Sequence, residues 1–495
     1  MKKIFINLCF LALLLSLSSC NKWLDLKPRD GIIKDEFWKT KEDVQAAVSG
    51  MYSSMLASPP GVGGRALTEY MFMWGEIRAD MVDQGPGYLT EEKDIMDVNI
   101  VESNSIVKWD AFYRTINYCN TILDFAPGAK ALDPTFSTKE LNAYMAEALT
   151  IRSMMYFYLV RSFKDVPLKL TSTSKDTEIK NIGKARDSVV LAQIVTDLNT
   201  AEKWAVDDYG SNALNKGRIT KFAVNALQAD VYLWMEKYDD CINRCVKIIE
   251  SERYTFLNPT AAWYTNVFYN GSSNETIFEL NYKSANISNP FYDMLRGPKR
   301  RFITTGYVAS EVFAPDEDDP ARTFDVRSDF FGSSDLIIYK HAQEYPAFLN
   351  WQMYRLSDIY LMLAEAENYS GSPSLALTFV EDVREARNAV DATAATIGPV
   401  DADANSVGEY ILAERSREFA FEGKRWYDIL RFAKRDNYSS QYEGILRGMV
   451  LRAVAPSFQQ AALNKYKDVN SHYFPIHQDE LFADPTLTQN PFYSK

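Results

Sequence analysis

Histidine and cysteine are scarce in this chain. Three histidines, His341, His472 and His477, and five cysteines are spread over 495 residues. Zinc centres and histidine-based triads usually draw on more. No CxxC, HExxH, GxSxG or P-loop pattern occurs, so the common metal, nucleophile and nucleotide chemistries lose their usual residues. Neither a metal nor another cofactor is expected. Cys119, Cys241 and Cys245 sit among apolar residues at helical spacing and read as small buried side chains, not as a disulfide framework. A basic surplus is missing too. The chain has 66 acidic against 54 basic residues, a formal charge of −12. An acidic body repels phosphate backbones, so no nucleic-acid partner is expected. The cluster Lys299-Arg300-Arg301 is short and reads as solvated loop. No segment offers the roughly 20 apolar residues a membrane-spanning helix needs.

What the chain has at its start is a leader. Lys2 and Lys3 precede an apolar stretch from Ile4 to Leu15, broken only by Asn7. That length suits a signal peptide and falls short of a span. Leu17-Ser18-Ser19-Cys20 then resembles a bacterial lipobox. Residues 1–19 are expected to be removed, and Cys20 to carry the lipid as the first mature residue.

Hydrophobic content is 46% and charged content 24%, ordinary for a globular chain. Several stretches repeat their apolar residues at helical period. Trp109, Phe112, Tyr113, Ile116, Cys119 and Leu123 form one stripe. Met145, Leu149, Met155, Tyr156, Leu159 and Phe163 form a second, and residues 187–205 a third. Residues 222–236 and 239–250 predict a helical hairpin, and 354–368 with 376–387 a second. A single long helix is expected over 410–432. Hairpins with small residues at the crossing (Ala223, Ala226, Ala229; Ala364, Ala366) suggest tetratricopeptide-like pairs, with an irregular helical bundle as the plainer alternative. The fold class is therefore mainly α, a scaffold of helical hairpins with an irregular loop-rich region and a few short strands.

The texture changes over residues 254–350, rich in Asn, Ser, Gly, Pro and aromatics. Thr276–Leu280 and Leu336–Tyr339 read as short strands, and Pro315 to Pro320 as an acidic turn. Residues 60–92 share that texture. Long irregular segments in a compact protein are uncommon and often functional. The expected organisation is a leader over 1–19, an N-terminal helical region over 20–253, a loop-rich ligand-binding region over 254–350 and a C-terminal helical region over 351–495.

The late segment Glu414-Arg415-Ser416-Arg417-Glu418-Phe419-Ala420-Phe421-Glu422-Gly423-Lys424-Arg425-Trp426-Tyr427-Asp428 resembles a signature of the SusD/RagB family of nutrient-uptake lipoproteins. Asp358 and Glu365 match that family's preceding helix. Phe474-Pro475-Ile476-His477 and Gln489-Asn490-Pro491-Phe492-Tyr493 follow its ending. Phe163-Lys164-Asp165-Val166-Pro167 also matches, with Lys164 where glycine is common. The resemblance covers nearly the whole mature chain. It implies an outer-membrane, lipid-anchored protein exposed at the cell surface, over a SusC-like TonB-dependent transporter. Such a protein captures oligosaccharides, or in some branches peptides, and is not an enzyme.

Glu414, Glu418 and Glu422 share one helical face, and paired carboxylates can serve a glycosidase. The interleaved Arg415, Arg417 and Arg425 argue instead for a structural ion-pair network, since a general acid needs a raised pKa. A sugar-binding aromatic must lie off the helical stripes. Trp109 and Trp426 fail that test, and Trp263 and Phe268 are expected in the core. Trp74, Tyr88 and Tyr292 remain as ligand contacts, with Arg78 and Asp80 near Trp74 placed to bind hydroxyls or to pair with each other. Peptide capture is the alternative within the same family, and surface glycan hydrolysis the alternative outside it.

Overall fold

The computed structural model describes residues 37–58, 64–173, 180–313, 325–332, 334–341, 347–389, 403–438 and 442–494. The expected leader, the lipid site Cys20 and the acidic turn at Pro315 to Pro320 lie outside them. The described chain is dominated by helices. In the first half these are α1 (Lys41–Leu56), α2 (Leu67–Glu76), α3 (Thr90–Met96), α4 (Asp110–Leu132), α5 (Thr138–Phe163), α6 (Asp187–Trp204), α7 (Asn212–Gly217), α8 (Lys221–Trp234) and α9 (Tyr238–Ile249). After the irregular segment come α10 (Leu356–Tyr369), α11 (Pro373–Glu385), α12 (Ala404–Glu418), α13 (Arg425–Tyr438), α14 (Tyr442–Ala453), α15 (Pro456–Tyr466) and α16 (Gln478–Ala483).

Local chemistry starts and stops these helices. Ser137 accepts from the Glu140 amide while the Glu140 carboxylate accepts from the Ser137 amide, a capping box that opens α5. Both expected hairpins form. In α8–α9 the turn passes through Glu236 at φ 59°; in α10–α11 it uses Gly371 at φ 100° and Pro373 at the first helical turn. Helix α5 packs between α4 and α6. From Ala146 to Phe163 every one of its residues is buried, where periodicity had suggested a single apolar face. It ends at Lys164, φ 68°, a backbone state that favours glycine.

Three expectations change. The long helix over 410–432 is two helices, α12 and α13, because the chain turns through Phe421 (φ 64°) and Gly423 (φ 70°). The stretch Trp351–Arg355, partly read as helix, is a buried strand paired antiparallel with Thr276–Leu280. Leu336–Tyr339 contributes only one bridge, Ile338 to Phe331. Val82–Gln84 pairs with Phe302–Thr304, joining an early segment to the middle of the chain. One apolar core runs from Val44 to Ile476, and a smaller one lies among α10, α11 and α12. Cys119, Cys241 and Cys245 are free and buried, as expected.

Candidate functional site

Three of the five expected ligand residues are built into the core. Trp74 is fully buried, its ring stacked on Phe112 at 4.3 Å and met edge-on by Phe163 at 5.1 Å. Its Nε1 donates to the Ile106 carbonyl at 2.7 Å. No ring face remains for a sugar. Arg78 donates to the carbonyls of His472 (2.7 Å) and Ser471 (2.9 Å) and lies 4.1 Å over the Trp426 ring. Asp80 does not pair with Arg78. It accepts from Arg425 Nε at 2.8 Å and Arg452 Nη2 at 2.7 Å. Burial pushes its carboxyl up, but the two guanidinium groups outweigh burial and hold it at about 2. The reason is the position of α2. Gly75 lets it touch the 419–424 turn so closely that a Cβ there would meet the Gly423 carbonyl oxygen at 1.7 Å.

Tyr88 and Tyr292 lie elsewhere, on two sides of one surface turn. Gly85 and Gly87 extend the Val82–Gln84 ribbon by donating to the carbonyls of Arg301 (2.7 Å) and Arg300 (2.9 Å). The contact admits no side chain, since a Cβ on Gly87 would sit 2.1 Å from the Lys299 oxygen. Tyr88 follows directly and is 45% exposed. On the other side, Tyr292 opens the short helical turn Tyr292–Arg296, and its half-buried ring rests against Gly297. The Arg300 amide donates to the Gly297 carbonyl at 3.0 Å, closing the turn between the two tyrosines.

The third aromatic is Tyr339, which sequence reasoning placed in a strand and did not select. The Arg296 guanidinium lies 4.2 Å over its ring, and its hydroxyl donates to Asp335 at 3.2 Å. Burial and the Asp335 carboxylate push that hydroxyl's pKa up. Nor is the basic run simple solvated loop. Arg301 pairs with Glu69 at 2.7 Å and with the buried Glu92 at 2.9 Å, anchoring the turn to α2 and α3. Lys299 is exposed, and Arg296 and Arg300 are half-buried. The signal available in sequence was the spacing: Arg296 falls one turn after Tyr292, and the basic run follows at once. The result is a turn that presents the exposed Tyr88 ring near cations, with Arg296 over Tyr339 and a carboxylate at its hydroxyl; an exposed ring of this kind can cover the apolar face of a sugar ring while polar groups meet its hydroxyls.

A second concavity, about 360 Å³, is lined by Tyr52, Tyr144, Arg218 and Asn281 among others. Its main polar groups are already engaged: Tyr52 donates to Glu147 at 2.6 Å, and Arg218 pairs with the same carboxylate.

The glutamates of the late motif form a buried knot. Glu418 meets Arg355 at 2.6 Å, Arg387 at 2.9 Å and Arg327 at 3.2 Å. Glu422 meets Arg355 at 2.6 Å and Lys340 at 2.7 Å. All these side chains are fully buried. Burial raises the carboxyls, yet the surrounding cations win. Glu414 is held at about 2, and Glu418 and Glu422 well below their usual range. An ion-pair network was expected, but most of its cations come from distant parts of the chain. Arg417 does pair with Glu414, whereas Arg415 binds Asp428 and Arg425 binds Asp80.

Comparison with known proteins covers most of the chain. A SusD family model matches residues 342–493, and a model described as starch-binding associating with outer membrane matches residues 22–233. SusD-like protein P38 of Formosa agariphila is 25% identical and covers 91% of this chain and 95% of that one. SusD-like protein P2 of the same organism is 27% identical, covering 86% and 90%. A SusD superfamily crystal structure from Bacteroides vulgatus superposes with a TM-score of 0.73 at 22% identity, covering 92% of this chain and 100% of that one. A SusD-like protein from Bacteroides fragilis gives 0.72 at 19%, covering 94% and 99%.

Proposed function

This chain belongs to the SusD-like family, and from that premise we propose that it is a carbohydrate-binding protein of an outer-membrane surface. It holds an oligosaccharide on the turn formed by Tyr88, Tyr292 and Tyr339 and passes it to a TonB-dependent transporter, with Cys20 as the lipid anchor. The observation that carries the reading is Tyr88. It is a large exposed ring, held beside the basic 299–301 segment by two glycine backbones that pair with it. Rigid rings of this kind bind with little entropy to lose.

The chain acts by binding and not by hydrolysis. Its paired glutamates are the residues most like a glycosidase pair, and they support this reading. A glycosidase acid must keep its proton at working pH. Glu414, Glu418 and Glu422 are held ionised by guanidinium groups deep in the protein.

The test is a glycan-array screen of the purified chain, followed by calorimetry on the strongest oligosaccharide. Tyr88→Ala combined with Tyr292→Ala is expected to weaken binding about tenfold or more, some 1.4 kcal/mol, while the thermal melt stays in place. If the double variant binds as tightly as the parent, the site is elsewhere. Capture of peptides in preference to every glycan would favour the peptide alternative.

A further inference from the structure

The cations of the tyrosine turn differ from the other arginines around them. Arg301 has two carboxylate partners, and the buried Arg327, Arg355, Arg387 and Arg431 have one or more each. Among the described residues, no carboxylate lies within ion-pair distance of Arg296, Lys299 or Arg300. Of the acidic side chains around the turn, Asp83 and Asp293 are exposed and make no ion pair with them, and Asp335, which accepts from the Tyr339 hydroxyl and the Ile337 amide, lies beyond ion-pair distance. The cluster is also held in shape. Arg296 is pinned flat against Tyr339. Arg300 has its Nε shielded from solvent with no hydrogen-bond partner, and its backbone carbonyl is tied to the Gly87 amide.

Three like charges in five residues repel one another, and a protein of formal charge −12 has carboxylates to spare for pairing them. Their lack of a carboxylate partner, beside the exposed ring of Tyr88, makes sense when the counter-charge arrives with the ligand. We propose that the ligand of this surface is an anionic oligosaccharide, carrying a carboxylate or sulfate group on its sugar rings. This rests on the binding reading above and narrows its substrate class. The rings of Tyr88 and Tyr292 cover the apolar sugar face, while Arg296 and Arg300 take the anion. Guanidinium groups suit this role because their planar fork matches two oxygens of a carboxylate or sulfate. Lys299, more exposed, adds long-range attraction that steers an acidic chain toward an otherwise repulsive protein.

The experiment is calorimetry of the full chain in detergent against three probes: an oligogalacturonate, a sulfated galactan oligosaccharide and a neutral malto-oligosaccharide, each at low and high salt. One anionic probe is expected to bind best, with affinity that falls as salt rises, and which probe wins separates carboxylate from sulfate. Arg296→Gln, Lys299→Gln and Arg300→Gln together are expected to lower that affinity about tenfold or more. Should that variant lose its melt, Lys299→Gln alone still reports through a weakened salt dependence. Tight, salt-independent binding of the neutral probe, abolished by the tyrosine double variant, overturns the anionic assignment and leaves the binding reading intact. No binding of any probe, or binding that the tyrosine variant does not touch, overturns both.

Discussion

In the buried knot, Arg327, Arg355 and Arg387 converge on Glu418, with Arg355 and Lys340 also holding Glu422. At the surface turn, Arg296 lies over the Tyr339 ring and, among the described residues, neither it nor Arg300 has a carboxylate in ion-pair reach. The same residue type thus serves two ends, and the difference is where its counter-charge comes from. A guanidinium whose partner is fixed within the chain sets geometry; buried pairs do this more surely than they add stability. One whose partner is missing is available to bind something else. Charge pairing, more than arginine content, separates the scaffold from the proposed site in this molecule.

That contrast can be broken experimentally. The largest effect is expected in the knot. Glu418→Gln leaves three guanidinium groups short of a buried carboxylate and is expected to lose about 3–5 kcal/mol of stability. Denaturant melts would show it, and a variant as stable as the parent would mean the knot is dispensable. A smaller effect is expected at the edge of the same region. Glu76 accepts from the Gly423 amide at 2.8 Å, and burial pushes its carboxyl from the usual 4.5 up to about 8. Between those values the folded chain keeps a proton that the unfolded chain has lost, so stability falls as pH rises through that window. Glu76→Gln, which cannot titrate, is expected to remove this decline. Parallel stability-versus-pH curves for the two proteins would refute it. The smallest effect belongs to the turn, where Lys299→Gln and Arg300→Gln are expected to leave the melting curve in place. A clear destabilisation would show that these cations have a structural task after all.

Much of this architecture is legible in sequence, and the exceptions have physical causes. The hairpins at 221–249 and 356–385 could be read because the outer helix of each pair, α9 and α11, buries one face and leaves a clear apolar period, with turn residues between the two helices. The core strand Trp351–Arg355 could not, since it is buried on both faces and carries Gln352 and Arg355 without an alternating pattern, and it merges into the helix that follows. The break between α12 and α13 is hidden because glutamates continue at four-residue spacing straight through Phe421 and Gly423. In the site, the Gly85-Pro86-Gly87 turn announced an outward Tyr88. Trp74 was kept as a ligand residue because it lies off the recognised helical stripes in the irregular 60–92 stretch, but Leu67–Glu76 is a helix whose Gly75 fits against the Gly423 backbone 348 positions later, in a direction that periodicity cannot see. Tyr339 and Arg296 meet only in the folded chain, so neither stands out alone.

The closeness of α2 to the turn at 419–424 also sets an order in time. The segment from Gly75 to Asp80 finds its partners very late in the chain. Glu76 bonds to a residue 347 positions on, Arg78 to one 394 on, and Asp80 to Arg452, 372 on. Bringing such distant pieces together demands loop closures that are slow to form. While the chain is still being made, Asp80 would be a carboxylate without its cations, and α2 a helix with an uncovered apolar surface. The N-terminal half therefore has no complete native state of its own during synthesis. Folding of this protein therefore completes after synthesis has reached its last few dozen residues, and a chain cut before Ser471 would lose both carbonyls that Arg78 donates to.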